Sequence, residues 1–179
     1  MPDTFTPNAT NERLLRDAFG RFATGVTVVT VGSNDGPVGM TVNSFASLSI
    51  NPALVFWCLS KSSRRFGYFD GAPHYAIHVL ADHQADMCNS LVKNPFALAN
   101  FGITENKQGV PLIANCLSRL ECQHTASHPG GNHQIVVGQV IQAEVNAGNA
   151  LGFLSGKLRA FGTPPGLTDA AQSRGRVRV

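Results

Sequence analysis

Residues 39–63 read GMTVNSFASLSINPALVFWCLSKSS, and this stretch decides how the rest of the chain is interpreted. It leaves an apolar strand and places Thr41, Asn43, Ser44, Ser47 and Ser49 within nine residues, with Phe45 among them. An almost wholly apolar run follows at 53–59, and then a second hydroxyl cluster, Ser60, Ser62 and Ser63. Small donors and acceptors against an apolar wall suit a planar, polar-edged ligand that carries a phosphate. Lys61, Arg64 and Arg65 are available as its counter-cations. Composition alone favours the ordinary alternative, a Ser-rich connection.

Working outward, residues 53–59 have the continuous hydrophobicity of a strand covered on both faces. Upstream, residues 26–31 are rich in Val and Thr, and Ser33-Asn34-Asp35-Gly36 leads into a second apolar run at 38–42. Asp-Gly between two such runs predicts a hairpin whose type I′ turn takes positive φ at both central positions. Before it, Thr10 or Asn11 can cap a helix with Leu14, Leu15, Ala18, Phe19 and Phe22 on one face, ending at Gly25. Residues 1–9 read as a frayed arm.

Downstream, the polar stretch SKSSRRFGYFD has helical character and precedes a strand at 75–80. Asp82 is placed to cap a helix reaching Val92, and Asn94-Pro95 to start another ending near Phe101. Long strands at 116–126 and 133–146 flank a turn at 128–132, and short strands follow at 151–154 and 157–161. The pattern predicts a mainly β, antiparallel barrel or sandwich with helices at its margins, in one domain spanning 1–162. Residues 163–179 lack apolar periodicity and read as a mobile tail. No GxGxxG or GxxxxGK[ST] follows a strand.

The chain has 179 residues, of which 14% are charged and 43% hydrophobic, a balance that supports a packed core and argues against wholesale disorder. A net charge of +3, with Arg174, Arg176 and Arg178 facing only Asp169, is too small and too localised for nucleic acid. No apolar run reaches the ~18 residues of a membrane span. The N-terminus is polar where a signal peptide needs an apolar stretch, so a cytoplasmic location is expected. Cys58, Cys88, Cys116 and Cys122 form no CxxC pair and read as reduced structural thiols, and no metal site is expected.

Several separated segments, in order, resemble the short-chain flavin reductases, the reductase components of two-component flavin-dependent monooxygenases. They are RDAFGRFATGVTVVT, the 39–63 stretch, HVLADHQADMCNSLV, GVPLIANCLSRLEC and GNHQIVVGQV, together covering residues 14–162. The resemblance implies an FMN-binding split β-barrel of antiparallel Greek-key type, working as a homodimer with FMN or FAD and with NADH or NADPH as hydride donor. It also implies a separate oxygenase that receives the reduced flavin. By the same resemblance, Met40, Thr41, Val42, Asn43 and Ser44 lie against the isoalloxazine ring. Ser47, Ser49, Cys58, Leu59, Ser60, Lys61 and Ser63 approach the ribityl chain and phosphate. The family's GDH motif falls on Gly131, Asn132 and His133, so Asn132 and His133, with Phe101, are assigned to the nicotinamide. Asn132 replaces an acid there, and His78 stands where Asn is common, near the expected flavin edge.

The reaction so implied needs no acid–base triad, only stacked rings, excluded water and donors near flavin N1 and O2. Two readings of other classes stand beside it. One is a flavin carrier or sensor without turnover, which the Asn132 departure keeps open. The other is a haem-binding module using His74, His78 or His124.

Overall fold

The β-branched run after Gly25 sits at the centre of a computed structural model that describes residues 4–162. A two-residue strand, β1 (Thr24–Gly25), and the longer β2 (Thr27–Ser33) open the chain's sheet region, followed by β3 (Gly36–Val42), β4 (Ala46–Ser49) and β5 (Leu54–Ser60). Then come β6 (His74–Val79), β7 (Thr104–Glu105), β8 (Pro111–Leu112), β9 (Ser118–Gly130) and β10 (His133–Val145), with β11 (Ala150–Leu154) and β12 (Lys157–Phe161) last. Helices α1 (Glu12–Phe19), α2 (Phe66–Phe69) and α3 (Ala85–Lys93) stand at the margins, with 3-10 segments at Asp82–Gln84 and Pro95–Phe101.

Seven antiparallel strands run in the order β3-β2-β6-β9-β10-β5-β4, so the later hairpin β9–β10 is inserted between two earlier ones. A second sheet, β1-β11-β12, is tied to the first where Val26, Leu80 and Leu151 exchange main-chain hydrogen bonds. Alternation decides which core each residue joins. On β2, Val29 and Val31 enter the barrel interior with Trp57, Tyr75 and Ile77, while Val28 joins Leu80, Leu91 and Leu98 under α3. Trp57 packs edge-on against Phe69 and Tyr75 at 5.8 and 5.9 Å.

Several expectations change in the structure. The β2–β3 turn centres on Asn34-Asp35, with Ser33 opposite Gly36, and only Gly36 takes positive φ (109°). It is therefore not a type I′ turn; glycine supplies the twist one residue later. The long hairpin does not turn at 128–132 but at Gly131-Asn132, because His133 pairs with Gly130 and Gln134 with Pro129. Pro129 is tolerated since β6 stops pairing with β9 at Gln123, which leaves the far end of β9 an edge. Asp82 lies inside a 3-10 turn rather than capping it, and Gln84 Oε1 accepts the Ala81 N–H instead, at 3.0 Å.

α1 ends at Phe19, earlier than Gly25, and buries none of its residues; Phe19 is 69% exposed, and Phe22 just beyond it 78%. β5 is not covered on both faces. Val55, Trp57 and Leu59 are buried, whereas Leu54, Phe56, Cys58 and Ser60 are half-covered. All four cysteines are free, with Cys88, Cys116 and Cys122 buried. Burial raises all three buried thiols, Cys122 to about 12. No described helix is long and apolar enough to cross a membrane. The Arg174, Arg176 and Arg178 cluster lies outside the described residues, as does the tail.

Candidate flavin and nicotinamide site

The half-covered face of β5 organises the predicted residues. From one edge, Ser44 Oγ accepts a hydrogen bond from the Cys58 N–H at 2.9 Å, fixing the Asn43–Phe45 connection against the strand. From the other edge, His133 pairs with Ser60, and the Lys61 N–H donates to Asn132 O at 3.0 Å. The polar loop and the hairpin tip thus attach to opposite edges of one strand, two residues apart.

Two cavities adjoin the loop. The larger, about 800 Å³, runs between α1 and the loop and is lined by Thr24, Asn43, Ser44, Phe45, Phe56 and Phe153, among others. The smaller, about 550 Å³, lies beside α3 and includes Thr41, Asn43, Cys88, Asn89, Phe153 and Lys157 in its wall. Asn43 and Phe153 belong to both. Gly39 lets β3 approach this helix, for a Cβ there would stand 2.9 Å from Leu91 Cδ2.

The walls contain polar atoms that the chain itself does not satisfy. Thr24 Oγ1 is buried without a hydrogen-bond partner, and Thr41 Oγ1 has only the Cys88 thiol beside it, a weak partner. An unpartnered buried hydroxyl costs about 1–3 kcal/mol, so such atoms on the walls of apolar cavities fit a ligand with a polar rim. A flavin ring meets that requirement.

Not every predicted side chain faces these cavities. Met40, Val42 and Leu59 point into the barrel core at 7%, 6% and 0% exposure, so only their main chain is available to a ligand. Ser47 and Ser49 lie on β4, which the sequence reading took for loop, and Ser47 is exposed. Ser60 and Ser62 hydroxyls meet at 3.0 Å, and Ser63 Oγ accepts the Arg65 N–H at 3.2 Å.

The three cations differ. Arg65 donates to the Leu91 and Val92 carbonyls and so covers the open C-terminal end of α3. Its burial, with the adjacent Arg64 charge, lowers its pKa. Lys61 Nζ donates to Gly131 O at 2.9 Å. Arg64 is exposed and has no side-chain hydrogen bond or ion pair among the described residues. Phe101 packs with Ile103 against the cluster under α3, on a different element from the hairpin that carries His133.

His78 is not at an accessible edge. It is fully buried, its Nδ1 donating to Val28 O and its Nε2 accepting the Ile113 N–H, both at 3.1 Å. Burial first, opposed by the bond to Val28 and reinforced by the Arg119 charge, pushes its pKa down to about 3. With both ring nitrogens engaged by main chain, His78 is unavailable as a haem ligand. Sequence reasoning also missed Phe153 and Thr24, which lack a motif; Thr24 stands just before the Gly25 that precedes the valine-rich run.

The family model for the flavin reductase like domain matches residues 19–162. The chain belongs to the flavin reductase-like family. Among its relatives, the FMN reductase (NADH) SmoA of Agrobacterium fabrum is 45% identical over 163 residues, spanning 90% of this chain and 94% of its own length. The reductase component of the flavin-dependent trigonelline monooxygenase of Acinetobacter baylyi is 40% identical over 85% of this chain, which spans only 49% of that protein. The solved structure of the NADH:FAD oxidoreductase SgcE6 of Streptomyces globisporus, in complex with NAD and FAD fragments, superposes with a TM-score of 0.83. It is 33% identical and covers 91% of this chain and 99% of its own. These likenesses place the architecture among the flavin reductase split barrels.

Proposed function

We propose that this flavin reductase-like protein is an NADH-dependent flavin reductase that reduces FMN or FAD and releases the product to a separate flavin-dependent oxygenase. One observation supports the reading: the Asn43–Phe45 loop, which lines both cavities through Asn43, and the Asn132-His133 tip are bound to opposite edges of β5, two residues apart. The names of the relatives, an NADH-dependent FMN reductase and a monooxygenase reductase component, supply the donor and the class of acceptor.

Bound flavin supplies the hydride acceptor, and the protein's task is to position and to exclude water. Thr41 Oγ1 and the main-chain N–H groups of residues 41–44 serve the polar rim of the ring. Asn43 and Phe153 close the space around it, and the Ser60–Ser63 loop with Arg64 takes the phosphate. His133, oriented by Asn132, holds the nicotinamide carboxamide and transfers no proton. The protein works as a homodimer: α1 has an apolar face that a single chain leaves uncovered, and this face borders the larger cavity.

The test is anaerobic stopped-flow mixing of the purified protein with NADH or NADPH and with FMN or FAD, following loss of flavin absorbance. Rapid bleaching with NADH is expected. Flavin binding without bleaching would make the protein a carrier or sensor, and absence of flavin binding would overturn the site as drawn.

A further inference from the structure

Lys61 was read from sequence as a cation for the cofactor's phosphate, and its ammonium also has a partner within the chain. Nζ donates to Gly131 O at 2.9 Å, while its main-chain N–H donates to Asn132 O at 3.0 Å. These two bonds grip successive carbonyls of the two-residue turn between Gly130 and His133. Gly131 is at positive φ (64°), and without a Cβ its own side chain does nothing to restrict the direction of its carbonyl. The next link is Asn132 Oδ1, which accepts from His133 Nδ1 at 2.7 Å.

We infer that Lys61 is a positioning residue for the nicotinamide side of the site, its ammonium clamping the Gly131 carbonyl and thereby setting the direction of the Asn132–His133 pair. The inference deepens the proposed reductase function and rests on it for its kinetic arm. The main-chain bond alone fixes the base of the turn and leaves the Gly131 peptide plane able to rotate. The ammonium bond restrains that rotation. An ammonium has three donors, so this bond leaves Lys61 free to meet an anion as well.

The test compares Lys61→Met, which keeps the length of the stem and removes the donors, with Lys61→Arg, which keeps charge and donors. Deuterium exchange is followed in the flavin-free protein over peptides covering 130–134, and steady-state NADH oxidation is followed with saturating FMN. In Lys61→Met, exchange at the tip should accelerate and KM for NADH should rise about threefold to tenfold. The limiting rate at saturating NADH should stay within about twofold, and Tm should not move, because the broken bond is exposed. Lys61→Arg should restore most of both effects. Weaker FMN binding in Lys61→Met with exchange and KM for NADH unchanged would overturn the inference and leave Lys61 a phosphate cation only. If the wild-type protein oxidises no NADH, the proposed function fails, and the exchange arm still decides whether the clamp exists.

Discussion

The side-chain carbonyl of Asn132 accepts a hydrogen bond from Nδ1–H of His133 at 2.7 Å. Oδ1 can only accept, so the bond selects the tautomer with its proton on Nδ1 and leaves Nε2 as an acceptor aimed away from the turn. An aspartate in this place would do the same with an added charge. Asn132→Asp should therefore keep or raise the rate of flavin reduction, whereas Asn132→Leu and His133→Ala should each raise KM for NADH about tenfold. Flavin affinity should be nearly unchanged in all three. Rapid-reaction reduction and fluorescence titration with FMN measure the two quantities, and an unaltered KM and rate in His133→Ala would remove it from the site.

Thr41→Val should have effects of opposite sign on the two states of the protein. Without flavin it removes a buried hydroxyl whose neighbour is the weakly bonding Cys88 thiol, and stability should hold or rise by up to about 1 kcal/mol. With flavin it removes a donor to the ring, and Kd should rise about fivefold to tenfold. Urea denaturation with and without FMN checks both. A loss of stability in the flavin-free protein would mean that Thr41 is already satisfied.

The neighbouring arginines should separate cleanly. Arg64→Ala should weaken FMN binding but leave riboflavin binding unchanged, because only FMN carries the phosphate. Arg65→Ala uncovers the Leu91 and Val92 carbonyls at the end of α3, and should cost about 1–2 kcal/mol of stability. Parallel titrations with the two flavins, together with a melting curve, distinguish the roles; equal losses for both flavins in Arg64→Ala would place the phosphate elsewhere.

His78 predicts an acid-sensitive fold. Its folded pKa, about 3, lies below the unfolded value of 6.5, so between these limits the unfolded chain binds a proton that the native state refuses. Stability conferred by neutral His78 is complete above pH 6.5 and declines as pH falls, by about 2 kcal/mol from pH 7 to pH 5. Urea midpoints at the two pH values should show this slope, and His78→Asn should flatten it. A wild-type slope surviving in the variant would assign the proton to another group.

Phe22→Asp, on the uncovered face beside α1, should convert a dimer to a monomer in sedimentation experiments. A wild-type protein that sediments as a monomer at micromolar concentration would remove the homodimer from the proposal.

Much of the sheet was legible in the sequence because β2, β3, β5, β6 and β10 are long runs whose apolar periodicity dominates any window. β4 was not: Ala-Ser-Leu-Ser has the composition of a loop, and it becomes a strand only because Phe56 and Val55 offer it an edge. The turn of the long hairpin was misplaced for a related reason. Pro129 and Gly130 normally end a strand, and here they continue one whose outer edge faces solvent. In the candidate site, the 41–44 segment and the Asn132-His133 pair were singled out by the motif resemblance. Which cation serves what purpose could not, since the partners of Lys61 and Arg65 lie 70 and 26 residues away in the chain.

β5 receives the Asn43–Phe45 loop along one border and the Gly130–His133 turn along the other, and the two share no residues. Such an arrangement is modular. In the proposed reductase, an exchange confined to residues 43–49 leaves the turn and its bonds to Lys61 in place, provided Cys58 and Ser60 keep their spacing on the strand. Grafts of residues 43–49 between relatives are therefore the natural route by which to alter the proposed flavin side while the turn stays as it is.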